Sequence, residues 1–175
     1  MQPLIEDTFY PSWEELFMRH AYLISSKSKD KRTKIGAVLV QDKHIISSGF
    51  NGLPMGTCDH VEERFFNPEK KFWFEHAERN AIYTCARYGV RALGATMFTN
   101  GLPCSDCTRA LIQAGILHVV VHKQWTDYER EFDLEKWNQN RERTIKMFSE
   151  AKVTFSVFDK FLNIETKLDG NIIIV

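Results

Sequence analysis

Residues 95–121 read ATMFTNGLPCSDCTRALIQAGILHVVV. The runs ATMFT (95–99) and LHVVV (117–121) are short and rich in β-branched and apolar residues, which is the composition of strands. Between them Pro103 sits where a first helical turn has no use for its missing amide, and Gly115 supplies a stop. Residues 103–114 are therefore expected to be helical. The same alternation extends in both directions. Upstream, Ser12-Trp13-Glu14-Glu15 forms a capping box, followed by Trp13, Leu16, Phe17, Ala21 and Ile24 at helical spacing, so a helix is expected over 12–26. IGAVLV (35–40) and IISSGF (45–50) flank a polar turn at 41–44 and read as a hairpin. Residues 74–88 place Ala77, Ala81, Ile82, Cys85 and Ala86 on one helical face, with Gly89 as the stop. Downstream, 127–150 is acidic early and basic late, as a helix dipole favours, with Leu134, Trp137, Ile145 and Phe148 as its buried stripe. A strand is expected at 152–158 and a hairpin around Asp169-Gly170 within 161–175. A hairpin followed by alternating helices and strands predicts an α/β domain with a mixed five-stranded sheet covered by helices on both faces. One domain over 1–175 is expected, its core about 12–158 and its tail 159–175.

Composition narrows the function. Lys plus Arg is 23 and Asp plus Glu is 23, which argues against a chain built to grip a nucleic-acid backbone. It leaves room for a small anionic substrate. The hydrophobic fraction is 43% and the charged fraction 26%, ordinary for a globular domain. Four Cys (58, 85, 104, 107) are too few for a disulfide scaffold. MQPLIEDTFY does not read as a signal peptide, and no apolar run approaches membrane-spanning length. A reduced, cytoplasmic protein is expected. Residues 51–72 lack periodicity, and a segment of that kind inside a compact domain is often a lid or binding loop.

Two segments carry chemistry. His76-Ala77-Glu78 opens one helix, and Pro103-Cys104-Ser105-Asp106-Cys107 opens the next. One His and two Cys are strong zinc ligands and leave a fourth position open. Amides of the first helical turn help keep thiolates ionised. Two thiolates and one imidazole bring the charge around Zn²⁺ to zero, so a bound water is less acidic than on a three-His site and needs a base, for which Glu78 is placed. Taken singly, a C-x-x-C pair also suits redox chemistry or half of a structural site, and a lone His suits a core. A structural Cys₃His site would recruit Cys58 or Cys85. Cys85 otherwise belongs to the apolar face of its helix, and Cys58-Asp59-His60 to a loop.

The pattern His76-x-Glu78 followed by Pro103-Cys104-x-x-Cys107 is the signature of the zinc-dependent cytidine deaminase superfamily, and the chain resembles it over roughly 12–158. Within it, Gly49-Phe50-Asn51-Gly52-Leu53-Pro54 and His76-Ala77-Glu78-Arg79-Asn80-Ala81-Ile82 are similar to motifs of the deoxycytidylate deaminase branch, with Phe50 where Tyr is usual. The resemblance implies the three-layer αβα sandwich of that superfamily and hydrolytic deamination of dCMP to dUMP. Glu78 would shuttle protons for a zinc-bound water attacking C4, with His76, Cys104 and Cys107 as ligands. Asn51, Ala77 and Leu102 would contact the substrate. Apart from the resemblance, a nucleotide phosphate needs cations, and Lys27, Lys29, Lys31, Arg32, Lys34 and Arg64 are the candidates, most of that cluster otherwise reading as a solvated turn. The resemblance also implies a homo-oligomer, a hexamer favoured, with dCTP and dTTP as candidate effectors. The alternatives are a tRNA adenosine deaminase, a nucleoside or base deaminase, and a non-catalytic zinc module. Neither zero net charge nor the G-F-N-G-x-P segment suits the first, and Glu78 has no use in the last.

Overall fold

The computed structural model of the chain describes residues 10–132 and 134–175, and the side chains among them outside 132–137. Its order is α1 (Trp13–Ser25), β1 (Gly36–Gln41), β2 (His44–Phe50), α2 (Lys70–Trp73), α3 (Ala77–Tyr88), β3 (Thr96–Thr99) and α4 (Ser105–Gln113). Then come β4 (His118–His122), α5 (Lys123–Phe132), α6 (Leu134–Glu150), β5 (Thr154–Phe158), β6 (Glu165–Leu168) and β7 (Asn171–Ile174). The main sheet has five strands in the order β2-β1-β3-β4-β5. β1 is antiparallel to both β2 and β3, while β3, β4 and β5 are parallel.

The central strands are buried on both faces, and their alternating side chains divide between two cores. Val38, Val40, Phe98 and Val120 meet Phe17, Met18 and Tyr22 of α1, Trp125 of α5, and Leu168, Ile173 and Val175 of the tail. Ala37, Leu39, Met97, Val119 and Val121 meet Ala77, Ala81 and Cys85 of α3, Leu111 of α4 and Phe148 of α6. This is a three-layer αβα arrangement.

Several boundaries differ from the sequence reading. Residues 74–76 precede α3, because His76 caps that helix with extended backbone and Gly89 closes it in the left-handed region at φ 67°. The stretch 51–72 holds a 3-10 turn at Glu62–Phe65 and begins α2. The expected single helix over 127–150 is two, α5 starting directly from β4 at Lys123. Phe148 is buried and Ile145 exposed; the expected roles of Leu134 and Trp137 fall outside the described side chains. At α1 only half of the capping box forms: the Glu15 amide donates to Ser12 Oγ, while the Glu15 carboxylate turns to Arg19. The tail forms the expected antiparallel hairpin, β6 against β7. It also ties down the loop before β1, through Lys34 N–H to Lys167 C=O and Gly170 N–H to Arg32 C=O.

Candidate active site

The site lies where α3 and α4 begin. His76 caps α3 and Cys104 caps α4, each with extended backbone, while Cys107 lies in the first turn of α4. Cys104 Sγ is 3.4 Å and Cys107 Sγ 3.5 Å from His76 Nδ1. For ions bound at about 2.3 Å to sulfur and 2.05 Å to nitrogen with tetrahedral angles, the expected sulfur–nitrogen separation is about 3.6 Å. The donor set therefore fits zinc in both chemistry and spacing. It is also the single group of three such ligands found among the described residues.

The electrostatics suit a cation. A hydrogen bond from Cys107 is the largest influence on Cys104, whose thiol is pulled down to about 4. Cys107, as the donor, is held far up. Each shift comes chiefly from the other sulfur, and a cation held between them would displace the thiol protons. The His76 pKa is raised, chiefly by its bond to Cys104. Glu78 is buried at 4% exposure, and burial raises its pKa. Its carboxyl lies within the influence of His76, Cys104 and Cys107.

Neighbouring groups hold these residues. Gly52 and Glu75 exchange backbone hydrogen bonds at 3.0 and 2.8 Å, joining the G-F-N-G segment to the residue before His76. Asn80 Nδ2 donates to Phe50 C=O at 2.8 Å, and Ser47 Oγ to Ala81 C=O at 2.7 Å. Arg79 pairs with Glu75 and reaches Asp106 of α4 at 3.8 Å. From α6, Asn140 Oδ1 accepts from the Ser105 amide and hydroxyl, and Thr144 Oγ1 donates to Pro103 C=O. The sequence reading missed Asn140 and Thr144, because nothing in a polar helix face marks two residues as braces for a distant turn.

The remaining predicted residues are placed unequally. Ala77 is fully buried at the first position of α3, where helical amides have no partner within the helix. Leu102 lies at 9% exposure in the turn from β3 to α4. Asn51 is buried, and its side chain is hydrogen-bonded to the loop before β1. Its Nδ2 donates to Asp30 and to Thr33 C=O, and its Oδ1 accepts from Ile35 N–H at 2.8 Å, leaving one lone pair of that oxygen open. The basic loop is largely paired: Lys29 with Asp59, Lys31 with Glu62, Arg32 with Asp169, while Lys34 Nζ donates to Ser28 C=O. Arg64 donates to Cys58 C=O and stacks over Trp73 at 3.7 Å. Lys27 and Lys29 border a cavity of about 260 Å³ walled by Phe50, Leu53 and Phe65. Cys58 is exposed, and Cys85 is buried in the core beside α3. Among the described residues no helix is long and apolar enough to cross a membrane.

Comparison with known proteins agrees with this geometry. Residues 11–123 match the family model described as the cytidine and deoxycytidylate deaminase zinc-binding region. The chain is 32% identical over 157 residues to human deoxycytidylate deaminase, covering 85% of this chain and 81% of that one. It is 34% identical over 143 residues to an uncharacterized deaminase of Aliivibrio fischeri, covering 81% and 90%. Its fold is similar to the crystal structure of dCMP deaminase from cyanophage S-TIM5 in complex with dCMP and dUMP. That match has a TM-score of 0.64 and 28% identity, and covers 85% of this chain and 98% of that one.

Proposed function

Because this chain belongs to the cytidine and deoxycytidylate deaminase family and is a deaminase, we propose that it hydrolyses dCMP to dUMP and ammonia. The observation that carries the reading is the buried Glu78 carboxyl set beside the convergent donors of His76, Cys104 and Cys107. Bound by those three residues, zinc would act as a Lewis acid that makes an attacking water more acidic.

Glu78 supplies the proton transfers. It takes a proton from the water that attacks C4 of the pyrimidine and delivers one to N3. It then takes the remaining proton from the new C4 hydroxyl and gives it to the amine, which leaves as ammonia as the C4–N bond breaks and the C4 carbonyl forms. A carboxyl that both accepts and returns protons is helped by a pKa above the ordinary carboxylate range, and burial moves Glu78 in that direction. The amide of Ala77 and the carbonyl of Leu102 orient the ring, and Asn51 meets the sugar through its open lone pair. The phosphate lies towards the basic loop of Lys27 and Lys29. A cytoplasmic homo-oligomer, a hexamer favoured, with dCTP and dTTP as effectors, belongs to the same reading.

Ammonia release measured on dCMP, deoxycytidine, cytosine, guanine and a tRNA anticodon stem tests it. Turnover of dCMP well above the others is the expected result. Equal use of deoxycytidine and dCMP overturns the nucleotide assignment, and no release from any substrate makes a non-catalytic zinc module the better reading.

A further inference from the structure

Buried polar atoms nearly always have partners, so those unpartnered by protein groups are candidates for ligand contacts. Among the described residues four side-chain atoms are in this condition: Thr99 Oγ1, Gln124 Oε1, Trp125 Nε1 and Glu129 Oε2. All four lie towards the carboxyl ends of the parallel strands, Thr99 closing β3 and the others on α5, which starts where β4 ends. Open α/β sheets bind their ligands at those ends.

Two of these residues converge on the turn that leads into Cys104. A Cβ built on Gly101 would meet Trp125 Nε1 at 3.0 Å and Glu129 Oε1 at 3.4 Å. The Leu102 amide faces the same carboxyl, and the charge of Glu78 reaches it. On the other side of the turn, Asn100 is tied to β1 through the amide of Gly36 and the carbonyl of Lys34. Burial holds the Glu129 pKa well above its ordinary value. The Trp125 indole and the Leu102 amide both face this carboxyl and favour its charged form, yet Oε2 itself makes no hydrogen bond of good geometry within the protein.

We propose that Glu129 is a substrate-reading residue of this active site, its carboxyl and the neighbouring Trp125 indole receiving a hydrogen-bonding group of the nucleotide at the Asn100–Pro103 turn. The inference rests on the dCMP reading above. In either protonation state the carboxyl keeps an acceptor oxygen that takes a donor, and dCMP offers two kinds: its 4-amino group and its 3′-hydroxyl.

The test uses the zinc-loaded full chain as wild type, E129Q and E129L. E129L removes, at similar volume, a buried carboxyl whose Oε2 makes no hydrogen bond and whose charged form burial disfavours, so its thermal midpoint is expected to equal or exceed that of wild type. At the same time its kcat/KM on dCMP is expected to fall on the order of 10- to 100-fold. E129Q keeps an acceptor oxygen and should retain most of the activity. A turn-propping role gives the opposite sign of stability change.

Two further arms locate the donor. If it is the 3′-hydroxyl, wild type loses tenfold or more on 2′,3′-dideoxycytidine 5′-monophosphate and E129L loses nothing further. If it is the amine, both proteins discriminate equally against that analogue and bind dUMP equally well. A lowered midpoint in E129L, or a kcat/KM within about twofold of wild type, overturns the proposal. A wild type that leaves dCMP intact overturns the substrate reading instead. The same midpoint and activity pair, taken on whichever substrate of the panel it does deaminate, then decides Glu129.

Discussion

Gly49→Ala adds one methyl group where β2 lies directly on α3. The new Cβ would stand 2.3 Å from Ala77 O, 2.4 Å from Ala81 N and 2.9 Å from Asn80 C. All three are backbone atoms of one helix, so no side chain can swing away. Ordinary contact begins at 3.4 Å, which requires α3 and β2 to separate by about 1 Å. His76 and Glu78 travel with α3, while Cys104 and Cys107 are carried by α4 and braced from α6. A displacement of about 1 Å at a reacting centre is worth on the order of 10²-fold in rate. Overpacking of this kind destabilises by about 1–3 kcal/mol or more. The expected result is a kcat on dCMP lowered about 100-fold, with a lower thermal midpoint and weaker zinc retention. Gly170→Ala is the control. It also lacks a Cβ, has φ 90°, and has nothing within 4 Å of the added atom. It should show only the strain of a left-handed residue, about 1–2 kcal/mol, with kcat unchanged. A Gly49→Ala protein with the midpoint and kcat of wild type would refute the idea that this contact sets the position of α3.

Glu78→Gln should keep its metal and lose at least 10²–10⁴-fold in turnover, since the amide cannot shuttle protons; metal analysis beside single-turnover kinetics checks both halves. Wild type should hold about one zinc per chain, and Cys107→Ala should lose it together with activity, as read by atomic absorption after dialysis against a chelator. Asn51→Ala removes the partner of Asp30, Thr33 and Ile35 and is expected to lower kcat/KM by about 1.5–3 kcal/mol; unaltered kinetics would exclude Asn51 from the substrate side of the site. Removing the 5′-phosphate should reduce kcat/KM more than adding a 2′-hydroxyl, because charge-assisted contacts are the stronger kind; dCMP, CMP and deoxycytidine compared side by side give the answer.

Much of the site was legible because its signals are local. A cap residue, a Pro, two Cys one helical turn apart and a Glu two residues beyond a His place their own side chains at helix starts whatever surrounds them. The helix boundary at His76 was misplaced by a few residues because Phe74 and Glu75 suit either conformation, and the bridge from Gly52 to Glu75 decides for extended backbone. The division of 127–150 was hidden for a similar reason. A helix beginning at Lys123, directly from a strand, carries no cap signal.

From the sequence alone come the αβ alternation, read from periodicity, and the candidacy of His76, Glu78, Cys104 and Cys107, read from spacing at two helix starts and from the resemblance to a known signature. Tertiary structure decided which neighbours those elements acquire. Asn51 spends its amide on the loop Asp30–Ile35 because the antiparallel pairing of β1 with β2 brings that loop to it. The basic residues Lys29, Lys31 and Arg32, which looked free to hold a phosphate, meet acids from a loop and a hairpin far along the chain, Asp59, Glu62 and Asp169. Glu129 reaches the turn before Cys104 only because β3 and β4 lie side by side and in parallel, so that the segments leaving their carboxyl ends stand face to face. Such contacts depend on chain closure over tens of residues, for which spacing along the sequence carries no signal.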